Sequence, residues 1–231
     1  MKSPLVSLLI LLTSFYLTIT AILFFTQSYF IFFPREISGN QHSFLKQFKS
    51  KEITLDHDGI SLHGWFIQNE TNPVNPLIIY YGGNAEEVSM NLYDLDKFGD
   101  HSLLFMNYRG YGKSEGRPGQ DALFSDALFI FDHISKKYHI PPGKIILKGR
   151  SLGSAVAIHV AGQRKVKAVL LVTPFDNMVN VAKKHYAIFP IKHLLRHPFY
   201  SDRIANEITC PMLALIGKQD QIIPNERSLA L

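Results

Sequence analysis

The chain has 231 residues, 46% of them hydrophobic and 19% charged, with a net charge of +5. That balance fits one sizeable globular domain plus an N-terminal appendage and excludes a disordered chain. Lys and Arg are scattered rather than gathered into a stripe, so nucleic acid is not an expected partner. The basic excess suits contact with anionic lipid. The single cysteine, Cys210, excludes an internal disulfide; it precedes Pro211 and an apolar run and reads as a small core residue.

From Ser3 to Pro34 no residue carries a charge, and Leu5 to Phe25 is rich in Leu, Ile and Phe. About 20 such residues in a helix cross a hydrocarbon core of about 30 Å. Tyr29 to Phe33 is aromatic and suits the interface. Residues 1–33 are therefore expected to form a single-pass anchor helix, meeting lipid through residues 4–33. A cleaved leader, giving a soluble secreted protein, is the competing reading, but Thr18-Ile19-Thr20-Ala21 is a poor cleavage site. Lys2 stands on one side of the run and Arg35, Lys46, Lys49 and Lys51 on the other, so the positive-inside rule leaves the orientation open.

Residues 34–50 read as a linker and 51–231 as one domain. Glu52 to Leu55 and Ile60 to Ile67 flank Asp56-His57-Asp58-Gly59, a hairpin turn. Apolar runs at Leu77–Tyr81, Leu103–Asn107, Lys144–Leu147, Ala168–Val172 and Met212–Ile216 predict strands covered on both faces. Helices are expected at Glu86–Phe98, Ala122–Tyr138 and Ser151–Gln163. Strands alternating with helices predict an α/β architecture with a mainly parallel sheet. Pro174 to Thr209 breaks the rhythm and reads as an irregular helical excursion over the sheet, a natural wall for a substrate pocket.

Three segments carry chemistry. Gly149-Arg150-Ser151-Leu152-Gly153 matches the G-x-S-x-G elbow, directly after one predicted strand and opening the next helix. That placement thrusts a serine oxygen outward from a tight turn, and Gly149 and Gly153 relieve the crowding around it. The competing reading is a glycine-rich turn with an incidental serine. Tyr81-Gly82-Gly83-Asn84-Ala85 follows a strand and offers a backbone N–H near Asn84 that, with that of Leu152, would form an oxyanion hole. A plain glycine turn is its alternative. Gly217 to Pro224 follows the last strand and holds Asp220, placed as the acid that orients a catalytic histidine. A helix-capping Asp is the alternative there, and Asp176 is the reserve acid.

With Asn107-Tyr108-Arg109-Gly110-Tyr111-Gly112-Lys113-Ser114-Glu115-Gly116 and Ala157-Ile158-His159, these segments resemble the serine-hydrolase family of the bud-emergence protein homologues and α/β-hydrolase domain-containing protein thirteen. The resemblance runs from the anchor to Pro224. It implies an α/β-hydrolase fold, Ser151 as nucleophile, Asp220 as acid, a small-molecule or acylated substrate, and no metal or organic cofactor.

Three departures accompany it. Gly82 stands where relatives often carry His, and Glu86 where a further glycine is common. The family's catalytic histidine follows the acid by one helix and one strand, whereas all ten histidines here precede Asp220. The expectation is thus an α/β-hydrolase lacking its last strand and helix, with Met212–Ile216 left as an open apolar edge prone to aggregation: a fragment of an active ester, thioester or amide hydrolase, or a truncated product. The rival from another class is an inactive membrane-tethered binding or scaffold protein. The sequence does not specify oligomeric state.

Overall fold

The computed structural model describes residues 3–71 and 75–231, so Lys2 lies outside the described residues. The antiparallel hairpin of β1 (Glu52–His57) and β2 (Ile60–Ile67) turns through Asp58 and Gly59, at φ 53° and 75°. Positive φ at both central residues is the turn geometry whose twist matches the strands. β3 (Leu77–Tyr81), β4 (Ser102–Met106), β5 (Ile145–Arg150), β6 (Ala168–Val172) and β7 (Met212–Leu215) form a parallel block. The sheet runs β1-β2-β4-β3-β5-β6-β7, with β2 antiparallel to β4.

Alternation along the inner strands explains the layering. Leu77, Ile79 and Tyr81 of β3, with Leu104 and Met106 of β4, enter one core cluster; Ile78, Tyr80, Leu103 and Phe105 enter the other. The first cluster packs under α3 (Gln120–Lys137) and α4 (Leu152–Gln163). The second packs under the 3-10 segment Val88–Phe98 and under residues 44–48. Burying each such aliphatic or aromatic side chain contributes about 1.5–3 kcal/mol.

Three elements differ from expectation. Val88–Phe98 is 3-10 and kinked at Asp94, not an α-helix from Glu86. Glu87 instead has extended backbone and caps the segment by accepting from Ser89 N at 3.2 Å. Residues 34–50 are no mere spacer: a 3-10 turn at Gly39–Gln41, α2 (His42–Leu45) and a 3-10 segment at Lys46–Lys51 sink Leu45 into the core, and Phe44 stacks on Tyr93. β7 lacks the two-sided cover its apolar run suggests and is instead the open edge expected without a further strand: among the described residues it pairs only with β6, and Met212, Leu213 and Leu215 are exposed.

Residues 174–209 form the expected excursion, with α5 (Met178–His185) and α6 (Ile191–Leu194). The short α7 (Asn225–Leu229) follows β7. The N-terminal helix α1 (Pro4–Phe32) starts at Ser3, whose hydroxyl accepts from Val6 N at 3.4 Å, with Pro4 preset for the first turn. It stops where Phe33 turns left-handed before Pro34. Residues 3–18 are exposed throughout, whereas Leu23, Phe24, Gln27, Ser28, Ile31 and Phe32 are covered wholly or in part.

Candidate active site

Strand β5 passes through Ser151 into α4 with no intervening loop. Ser151 holds φ 51°, ψ −115°, an unfavourable conformation for a residue with a Cβ. Its N–H donates to Val172 O at 2.8 Å, and its carbonyl accepts from Ser154 N at 2.9 Å and Ser154 Oγ at 2.6 Å. A Cβ on Gly149 would strike the Gly153 carbonyl, and one on Gly153 would strike the Tyr81 carbonyl. Both glycines are thus required by close backbone approach, and the strained turn is over-determined by its surroundings.

Ser151 lines a cavity of about 310 Å³ together with Leu152 and Asn84. Leu152 opens α4, so its N–H has no partner within the helix and is free to meet an anion. The loop bearing Asn84 is braced from several directions. Glu86 accepts from Gly83 N at 2.7 Å and Tyr80 OH at 2.7 Å, and lies 3.3 Å from Arg150 Nη1. Burial, and then the Glu86 charge, raise the Tyr80 pKa, so its phenol remains a donor. Tyr108 OH donates to Gly82 O at 2.9 Å, and Asn107 ties Glu87 and Val88 together. Ala85 N donates to Phe32 O at 3.0 Å, and Tyr111 OH donates to the same carbonyl. The departure at Glu86 therefore has a structural use, and the Asn107–Gly116 segment acts as the loop's support. Sequence reading quoted that segment without giving it a role.

Asp220 follows β7 and Ser151 follows β5, so both leave the carboxyl ends of parallel strands. Asp220 Oδ1 accepts from Ile222 N at 2.8 Å and Ile223 N at 2.9 Å. Those bonds leave Oδ2 for another donor, and they place Ile222 and Ile223 in the wall of the Ser151 cavity. Asp176, the reserve acid, is consumed otherwise. It is buried, with Asn177 N, Asn180 Nδ2 and Arg227 Nη1 on its carboxylate at 2.8, 2.7 and 3.0 Å. It clamps α5 to α7.

No described histidine hydrogen-bonds Ser151 or Asp220. His57 pairs with Asp126, His63 lies near Glu52, and His159 meets Gln163 while stacked on Phe124. His185 does line the cavity, its Nε2 3.1 Å from Ile222 O. His197 takes Gln120 N on Nδ1 and so presents Nε2–H to Ser28 on α1 at 3.0 Å. Among the described residues no cluster of three His, Cys, Asp or Glu could hold a metal ion.

The remaining walls are apolar. The excursion contributes Phe175, Met178, Val181 and Phe189, as its place in the sequence suggested. Leu23, Phe24, Gln27, Phe30 and Ile31 of α1 form the opposite wall, which sequence reading missed. Gln27 is the polar residue of that docked face: it accepts from Arg196 N at 2.7 Å and donates to Leu194 O at 3.1 Å.

A family model described as serine hydrolase matches residues 130–229. An uncharacterised Mycobacterium tuberculosis protein is 34% identical over 176 residues, covering 74% of this chain and 62% of its own length. The Danio rerio lysophosphatidylserine lipase ABHD12 is 31% identical over 173 residues, covering 65% of this chain and 44% of its own. The chain thus spans less than two thirds of the length of these relatives. Among solved structures, the Pyrococcus furiosus esterase Pf2001 superposes with a TM-score of 0.66 at 20% identity, over 85% of this chain and 82% of that one. The fold is the α/β-hydrolase fold.

Proposed function

We infer that this chain, a member of the α/β-hydrolase superfamily, is the body of a membrane-anchored serine hydrolase acting on esters or thioesters of apolar acyl groups. One observation carries the reading: Ser151 sits at φ 51° between β5 and α4 and opens into an apolar cavity shared with Asn84 and Leu152.

In the proposed reaction Ser151 Oγ attacks the substrate carbonyl carbon and its proton passes to a histidine that Asp220 would orient, a role for which no described histidine is placed. The N–H groups of Leu152 and Asn84 receive the negative oxygen of the tetrahedral intermediate. Collapse expels the leaving group with the histidine's proton and leaves acyl-Ser151. Water, deprotonated by the same base, then releases the acid and restores the serine. The lipase name of the zebrafish relative agrees with an apolar acyl group.

The anchor reading rests on α1. It runs 29 residues, its first half is fully exposed, and Thr18, Thr20 and Thr26 return their hydroxyls to the carbonyls of Ser14, Tyr16 and Ile22 at 2.7–2.8 Å. Hydroxyls satisfied within the helix are what a hydrocarbon environment requires.

The second reading, an inactive tethered binding protein, is favoured by the lack of a described histidine bonded to Ser151 or Asp220. Hydrolysis of a p-nitrophenyl acyl ester, with and without added imidazole and counted above the protein-free rate in the same buffer because imidazole itself cleaves such esters, separates the two. Turnover that imidazole raises and Ser151→Ala abolishes supports the hydrolase. Turnover that survives Ser151→Ala overturns it, and no turnover in either condition favours the binding protein.

A further inference from the structure

The excursion touches α1 surprisingly far from its C-terminus. Tyr16 OH donates to Ile188 O at 3.0 Å, and the Tyr16 ring stacks on Phe189 with centroids 5.5 Å apart. From Pro4 to Tyr16 the helix rises only about 18 Å. A bilayer core is about 30 Å thick, so a crossing α1 leaves Tyr16 roughly 12 Å inside the near face of the hydrocarbon. Tilting the helix would sink it further.

The segment beside Tyr16 suits that depth. No charge stands between His185 and Lys192, and Tyr186 and Ile188 are exposed, Ile188 at 75%. Its backbone is largely paired: Tyr186 N donates to Ala182 O, Phe189 N to Tyr186 O and Ile191 N to Phe189 O, while Ile188 O takes the Tyr16 hydroxyl. Non-helical backbone survives at membrane depth only when satisfied in this way. On either side stand Lys183, Lys184, Lys192 and Arg196, with no acid between Lys183 and Arg196 in the sequence; of these Lys184 lies 3.5 Å from Glu226. Cations flanking an apolar tip match anionic headgroups above a hydrocarbon layer.

We propose that residues 186–190 enter the bilayer beside α1, so that the Ser151 cavity takes a lipid acyl chain from within the leaflet. Tyr186 and Phe189 of this segment are cavity walls, as are Phe24 and Phe30 of α1, which by the same rise stand at the near face of the hydrocarbon and about 9 Å beyond it. The cavity thus runs from submerged walls at Tyr186 and Phe189 to walls at the membrane surface, and an acyl chain sliding along α1 enters it from the hydrocarbon side.

The proposal rests on the anchor reading, and its test is independent of catalysis. Trp65 is the chain's one tryptophan and is fully buried, so it serves as an internal reference. The full chain is placed in phosphatidylcholine–phosphatidylglycerol vesicles whose phosphatidylcholine carries bromine on its acyl chains. In Ile188→Trp the new indole loses most of its emission. In Lys144→Trp, at the opposite end of β5, it does not. A phosphatidylcholine with a diazirine on its acyl chain labels the peptides holding Leu23–Ile31 and Phe175–Ala182, in Ser151→Ala as in the unaltered chain. Ala182→Trp, which fills the cavity, suppresses that labelling. A chain that floats with the vesicles while I188W is quenched no more than K144W overturns the proposal, as does labelling confined to Leu5–Phe15. A chain that fails to float overturns the anchor reading itself.

Discussion

Strand β5 lies inside the sheet between β3 and β6 and delivers Ser151, whereas β7 lies at the edge, pairs with β6 alone and delivers Asp220. On the nucleophile side the backbone is interlocked: Gly153 abuts the Tyr81 carbonyl, and Ser151 is bonded through both its N–H and its carbonyl. On the acid side the strand's apolar residues are exposed, and position is set by side chains, chiefly the Asp176 clamp. The reactive residue is therefore fixed by the fold, and its orienting partner by local polar bonds.

The contrast can be broken at graded cost. Gly153→Val forces a side chain into the Tyr81 carbonyl, and the expected loss is at least about 3 kcal/mol, read as a lost unfolding transition in urea or a failure to accumulate folded chain. Asp176→Asn leaves Arg227 facing a neutral amide in a buried site. It should cost about 2–3 kcal/mol and raise protease sensitivity in α5 and α7 ahead of the central strands.

Acidification acts through buried and partly buried histidines. Burial first of all lowers the pKa of His63, His159 and His197; Lys113 lowers that of His63 further and Arg196 that of His197, while Glu52 and Glu87 at His63 and Asp121 at the other two act in the opposite sense. A depressed folded value means that the unfolded chain protonates first. Stability is full above about pH 6.5 and falls as the pH drops from there toward the folded values, seen as a declining melting temperature between pH 8 and 5. A melting temperature that rises on acidification would contradict this. The smallest effect is expected at Leu213→Lys on the exposed edge: stability within about 0.5 kcal/mol of the unaltered chain, with less aggregation by light scattering.

Much of the fold was legible in the sequence because its signals are local. Asp58-Gly59 specified the hairpin, alternating apolar runs and helices specified the parallel block, and G-x-S-x-G after a strand specified the elbow. What escaped depends on distant partners. Met212–Ile216 reads from its composition alone as a buried strand; its exposure as an open edge follows only from what pairs beside it. The α1 stripe at Leu23, Phe24, Gln27, Ser28, Ile31 and Phe32 is hidden because the helix is apolar around most of its circumference. Gln27 and Ser28, side by side in an apolar run, were the available signal, since polar groups there need partners. Chain position alone puts Asp220 ahead of Asp176 as the acid; what it could not show is that Asp176 is bonded to Asn180 and Arg227 while the Asp220 carboxylate bonds only backbone N–H groups among the described residues.

The central claim is that Ser151 is a nucleophile at a formed site. A fluorophosphonate reacted with the folded chain in the presence of imidazole, followed by intact-mass and peptide analysis, tests it most directly. A single phosphonyl adduct on the peptide holding Ser151, absent from an equally folded Ser151→Ala chain, is the result predicted. An adduct on another residue, or none at all on a folded chain, would contradict it.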